Sequence, residues 1–258
     1  MKEDTPAVTT VGGLRAIELQ YRIIRDITTG ELAFFQSRTQ LNTPGLGTLM
    51  PENFRQIADM SSQSTELFLL ELVQAIQTHQ KFIDRELTFD WISVYMPVHY
   101  LLQISCDRIL MEQCRKYGIS YNRLCFALSG KLLLETNGLA ARMIRILHGY
   151  GFHFMLSDFG TQNCPIMRLT EFPVDYVMLN AEVTHYLSRD QRSHNAAGSV
   201  VGFVNEVGAV PIADGVTESH QAEMFYEFGC RYCAGELSGK YMREQHFQNK
   251  NTRNGESA

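Results

Sequence analysis

Two aspartates, Asp158 and Asp214, each follow a short apolar run and stand where a folded chain could bring carboxylates together for proton transfer or cation binding. Asp158 is read as a loop-stabilising or capping carboxylate, and Asp214 as a surface-loop residue. Ser93, Ser129 and Ser157 lie near the ends of apolar runs, but no Gly-x-Ser-x-Gly elbow accompanies them. The eight histidines are scattered without ligand spacing. Cys230-x-x-Cys233 is the one tight cysteine pair, and a zinc site would need two more soft ligands, so a packed structural pair is expected. Asn137-Gly138 and Gly12-Gly13 do not carry a strand into a helix as phosphate-cradling loops do. From these residues no catalytic, cofactor-binding or metal-binding residue is assigned.

Composition narrows the classes further. With 258 residues and 45% hydrophobic content, the chain can bury the core of one large domain. A net charge of −5 gives no general attraction to nucleic acid, which needs clustered Lys and Arg. No apolar run reaches the about 20 residues that span a bilayer, and the start lacks a signal-peptide core, so a cytoplasmic protein is expected. Six scattered cysteines suit reduced thiols better than a disulfide framework.

Strand-like and helix-like segments alternate along the chain. Residues 19–27 and 31–39 flank Thr28-Thr29-Gly30 and read as an antiparallel hairpin. Residues 65–78 show helical periodicity, with Leu67, Leu70, Glu71, Val73, Gln74 and Gln77 sorted onto apolar and polar faces. Strand candidates recur at 89–95, 123–128, 152–157, 174–179, 209–213 and 231–235, separated by helical stretches near 98–117, 131–149, 181–207 and 217–228. That alternation predicts parallel strands covered by helices. The fold class expected is α/β, a (β/α)8 barrel of the TIM type modified by an antiparallel N-terminal hairpin strand, with functional groups at the C-terminal strand ends. One domain over residues 14–244 is expected, with flexible tails at 1–13 and 245–258.

Five landmarks carry a family resemblance: Tyr21-Arg22-Ile23-Ile24-Arg25-Asp26, Ser157-Asp158-Phe159-Gly160-Thr161, Val174-Asp175-Tyr176-Val177-Met178-Leu179-Asn180, Ala213-Asp214-Gly215-Val216 and Phe228-Gly229-Cys230. Together they resemble the EAL-domain family, bacterial phosphodiesterases of cyclic di-GMP, over about residues 14 to 242. The resemblance implies a barrel with one antiparallel strand and a site in which oxygen ligands hold paired Mg or Mn ions.

Matching the family pattern to the chain places Phe35 at the metal-ligating glutamate and Thr39 at the phosphate-binding arginine. Further along, Tyr95-Met96-Pro97 stands for Asn-Leu-Ser, and Ala127-Leu128-Ser129-Gly130 for Glu-Ile-Thr-Glu. The paired aspartates become Ser157-Asp158, the lysine and aspartate become Met178 and Asn180, one glutamate becomes Asp214, and a glutamine becomes Ala234. Apolar replacement would also remove the cost of burying carboxylates without a cation.

The resemblance therefore implies a degenerate member that is not an enzyme, takes no cofactor and has no tight site for cyclic di-GMP. The function expected is that of a regulator that binds a protein. The stand-alone degenerate EAL-like proteins of enteric bacteria, which bind the FlhD subunit of the flagellar activator FlhDC and repress motility, supply the expected partner by analogy of fold. The alternative is an inactive receptor for cyclic di-GMP.

Overall fold

A computed structural model describes residues 10–11, 14–61, 63–161 and 164–248. Eight strands close into a barrel: β1 (Ile17–Asp26), β2 (Leu32–Thr43), β3 (Ile92–Tyr95), β4 (Leu124–Ser129), β5 (His153–Phe159), β6 (Tyr176–Leu179), β7 (Val210–Ala213) and β8 (Tyr232–Cys233). β2 through β8 pair in parallel in chain order, and β1 closes the ring by running antiparallel to both β8 and β2. The expected modified barrel is the observed one.

Helices cover the outside: α1 (Pro51–Ala58), α2 (Gln63–Asp84), α3 (Cys106–Tyr117), α4 (Leu139–Gly149), α5 (Gln191–Glu206) and α6 (Ser219–Glu227), with shorter helices at Val98–Leu101 and Ala181–Leu187. The predicted helices at 98–117 and 181–207 are thus each split in two. Ser105 stands at the first break with φ 69°, and Asp190 begins the second helix afresh by accepting a bond from the Ser193 amide. α1 escaped the sequence reading because it is only about two amphipathic turns long; Pro51 starts it at a position where a missing N–H costs nothing.

Alternation along each strand sorts side chains into two cores. Inside the barrel pack Ile24, Phe34, Trp91, Cys125, Ala127, Met155, Met178, Ile212 and Ala234. Phe34 stacks on Trp91 with ring centroids 4.0 Å apart and planes 7° off parallel. The larger core lies between strands and helices, where Tyr21, Ile23 and Phe35 face the buried stripe of α2 (Phe68, Leu72, Ala75, Ile76, Phe82). Glu71, sorted by periodicity with the polar positions of α2, lies within that stripe and is fully buried.

Both expected tails are shorter than predicted where they are described. Thr10–Val11 pairs with Leu14–Arg15, and Phe247 is buried against Phe35 and Phe82 at centroid distances of 5.1 and 5.5 Å. Residues 1–9, 12–13 and 249–258 of those tails lie outside the described residues. No helix among the described residues is long and apolar enough to cross a membrane.

All six cysteines are free, and five are buried. Cys230 donates to the Pro211 carbonyl at 3.3 Å, and burial pushes its thiol up to about 12. Cys233 rests against Ser238. The pair is packed, not poised for chemistry.

Candidate functional site

The C-terminal strand ends open into a cup of about 520 Å³. Its floor and walls include Gln36 and Arg38 of β2, Ala127 of β4, Ser157 and Asp158 of β5, Met178 of β6, and Asp214 just past β7. Arg22 enters from β1, Tyr241 from the segment after β8, and α1 contributes Pro51, Glu52, Arg55 and Gln56 to the rim.

Strand register corrects the reading of β2. Phe35 does not face the cup: its side chain points outward, 0% exposed, into a ring cluster with Phe82, Phe89 and Phe247 at 4.3, 5.1 and 5.1 Å. Thr39 also points outward and is buried, donating to Glu71 at 2.6 Å. On the inward face of β2 the residues that reach the cup are Gln36 and Arg38, with Ser37 and Thr39 at its edge. A shift of one residue along a strand exchanges its two faces, so the position for a ligand of the cup is Gln36. The signal for this was Phe34, which with Trp91 belongs to the inner core and fixes even-numbered residues inward.

The centre of the cup is a guanidinium. Arg22 donates through Nε to Gln36 Oε1 at 2.7 Å and through Nη2 to Asp214 Oδ2 at 2.8 Å, with Met178 Sδ 3.8 Å from the same nitrogen. Its carbon lies 4.8 Å from the Tyr241 ring, and that of Arg38 lies 4.0 Å from the same ring. Burial alone would lower the pKa of Arg22, but Tyr241 and Asp214 outweigh it and hold the group firmly charged.

Asp214 is therefore no surface-loop residue. Its Oδ1 accepts from the Gly215 amide at 2.6 Å, and its backbone carbonyl accepts from Thr184. The carboxylate of Asp158 bonds with the side chain of Asn180, the cap of the helix Ala181–Leu187, and the residue sits at φ 59°, a left-handed conformation seldom adopted by residues other than glycine. Crowding by the cup walls raises its pKa, and the neighbouring Asp214 raises it further, although one side of the residue meets solvent.

Behind the cup, α1 is held by buried charge. Arg55 Nη2 donates to Glu71 Oε1 at 2.7 Å and to Thr39 Oγ1 at 2.8 Å, and the guanidinium carbon sits 4.4 Å from the Tyr95 ring. Tyr95, expected at a ligand position, donates its hydroxyl to Asp59 Oδ2 at 2.5 Å. Burial raises the pKa of Glu71, with Arg55 opposing.

Among the described residues, no group of three His, Cys, Asp or Glu is placed to hold a metal ion. The structure brings Asp158, Asp214, Ser157, Asn180, Met178 and Ala127 together around the cup as expected, and leaves Phe35 and Ala234 out of it, while Thr39 touches the edge of the cup but gives its hydroxyl to Glu71. Arg22, Arg38, Gln36 and Tyr241 are the residues that sequence reasoning missed.

Comparison with known proteins decides the family: the EAL domain model matches residues 13–241. The chain belongs to the EAL domain family. This EAL chain is 22% identical over 269 residues to the cyclic di-GMP phosphodiesterase RocR of Pseudomonas aeruginosa, a match covering 95% of the chain and 66% of RocR. It is 23% identical to the cyclic di-GMP phosphodiesterase PdeL of Escherichia coli, covering 81% of the chain and 58% of PdeL. The chain thus spans about three fifths to two thirds of the length of these two relatives. Among solved structures, the PaMucR phosphodiesterase in complex with c-di-GMP superposes with a TM-score of 0.80 at 16% identity, covering 90% of this chain and 94% of that one.

These relatives overturn one expectation. A barrel with altered strand ends was expected not to be an enzyme, yet proteins matching most of the chain are named cyclic di-GMP phosphodiesterases. Replacement of family residues, read from the sequence, does not by itself take the EAL chain out of that company.

Proposed function

We propose that this EAL protein is a cytoplasmic regulator that recognises cyclic di-GMP in the cup at the barrel mouth. One observation carries the reading: the cup presents cations and carboxylates side by side. Arg38 and Lys131 offer donors for phosphate oxygens, while Asp158 and Glu52 offer acceptors. A guanine displays N–H donors on one edge and acceptors on the other, and a cyclic dinucleotide joins two such bases to two phosphodiester anions. A mixed-charge cup complements that ligand better than it would a plain polyanion. The earlier expectation of no tight site counted only the family's own contact positions and omitted Arg38.

Calorimetry of cyclic di-GMP into the protein tests this. Saturable binding is expected, and Arg38→Met should weaken it about tenfold to a hundredfold, the worth of one charge-assisted hydrogen bond. Absence of saturable heat at tens of micromolar protein would overturn the reading.

A second reading, that the output is a protein contact, is supported by an apolar rim. Arg168 donates to the carbonyls of Leu133 and Glu135, both at 2.5 Å, tying the turn Ile166–Glu171 to the turn Gly130–Leu134. Leu134 and Met167 stand exposed on these turns, at 56% and 67%. We assign the partner as the FlhD subunit of the flagellar activator, with motility repression as the consequence. Purified FlhD should be retained by the immobilised protein, and Leu134→Glu with Met167→Glu should abolish retention. Retention unaffected by the double variant would move the contact elsewhere; none with the native protein would remove FlhD.

A further inference from the structure

We propose that Arg22 is a built-in cation that stands in for divalent metal, so that phosphodiester recognition in the cup does not depend on a metal ion. This rests on the reading of the cup as a cyclic di-GMP site and adds how that site is charged.

The resemblance to EAL domains implies paired Mg or Mn ions held by oxygen ligands at the strand ends. The residues present do not fit such a pair. Hard divalent cations take six or more oxygen ligands, including several carboxylates. The strand-end positions here are Gln36, Ala127, Ser157, Asp158, Met178 and Asn180, of which Asp158 alone is a carboxylate and is bonded to Asn180, and Tyr95 gives its hydroxyl to Asp59. Asp214 is the carboxylate nearest the centre, and its Oδ2 is taken by Arg22 while Oδ1 is taken by the Gly215 amide. The Met178 thioether, 3.8 Å from Nη2, and the Gln36 amide oxygen that accepts from Nε are other neighbours of the guanidinium, and neither is an oxygen donor set for a hard cation.

The geometry explains why a guanidinium is stable there. Nε and Nη2 are held by Gln36 and Asp214, and the Tyr241 ring lies against its carbon. Nη1 makes no hydrogen bond among the described residues, so the fork keeps donor capacity for a ligand oxygen. Arg38, donating through Nη2 to Gln20 Oε1 at 2.8 Å and stacked on the same ring, places a second positive charge beside the first. Two guanidinia sharing one aromatic ring form a fixed dication suited to an anionic diester.

Two titrations test the proposal. Mn²⁺ alone, titrated into the protein, should give no saturable heat at millimolar concentration; saturable binding lost in Asp214→Asn would overturn the proposal. Cyclic di-GMP should then bind with the same affinity, within about twofold, in EDTA and in excess Mn²⁺. Arg22→Met should weaken binding at least about tenfold in both buffers, with Arg22→Lys in between and melting curves showing that each variant is folded. Binding that appears only with Mn²⁺ would sink the built-in cation and leave the dinucleotide reading standing. No binding in either buffer would remove the dinucleotide reading and this inference with it. Unaltered affinity in both folded Arg22 variants would also overturn it.

Discussion

Phe35→Glu abolishes cooperative unfolding, whereas Gln36→Glu, one residue along the same strand, leaves the midpoint almost unmoved. Phe35 is enclosed by Phe82, Phe89 and Phe247 and has no exposed surface. Removing such a ring costs about 3–5 kcal/mol. Placing an ionised carboxylate in the gap adds several more, because the three rings that enclose it, Phe82, Phe89 and Phe247, offer no hydrogen-bond donor. The sum approaches the whole stability of a typical domain, about 5–15 kcal/mol. Gln36 stands in the open cup beside Arg22, where a carboxylate gains a charge-assisted bond, so a change within about 1 kcal/mol is expected. Urea titrations followed by circular dichroism compare the two. A Phe35→Glu protein as stable as the parent would mean that Phe35 faces the cup after all.

Arg55→Ala destabilises the protein by about 3–5 kcal/mol at neutral pH, the cost of leaving a buried charge without its partner. Glu71 has no exposed side-chain surface, and its cationic partner is Arg55. The pH dependence gives the sign. Burial already raises the pKa of Glu71, and loss of Arg55 raises it further. Above the unfolded-chain value of about 4.3 the native state of the variant then holds more protons than the unfolded chain, so its stability rises as pH falls through that window. The deficit relative to the parent should therefore shrink toward pH 5. Replacing both partners by Met should recover most of the loss, since a well-filled apolar pair avoids the desolvation of two ions. A deficit independent of pH would assign the effect to lost packing on Tyr95 instead.

The legible part of this chain was its alternation. Short apolar strands such as Leu124–Ser129 and Tyr176–Leu179, spaced by helical stretches, led to the barrel, and the strand ends led to the neighbourhood of the site. Facing was harder to read. Adjacent phenylalanines at 34 and 35 look alike in a sequence, and both are buried, one within the barrel and one outside it; burial on both sides erases the polar-apolar alternation that normally sets register. Glu71 misled for the opposite reason. A carboxylate on an amphipathic helix reads as a solvated residue until its partner is known, and Arg55 lies on a short helix that periodicity did not reveal. Arg22 and Arg38 went unnoticed because only the family's own contact positions were weighed, and Tyr241, which joins the two in space, lies about 200 residues further along the chain.

The aromatic cluster that Phe247 completes has a mechanical meaning. Phe35, Phe82 and Phe247 come from a barrel strand, the longest outer helix and the segment beyond the last strand, so three stretches far apart in the chain are clasped at one point on the wall. Lys81 and Arg85 fasten the same segment from the helix side through Glu244. A barrel held shut this way resists opening between its first and last strands, the seam where two edges meet. Any load applied through residues that follow Phe247 would reach β2 and α2 before it reached the cup.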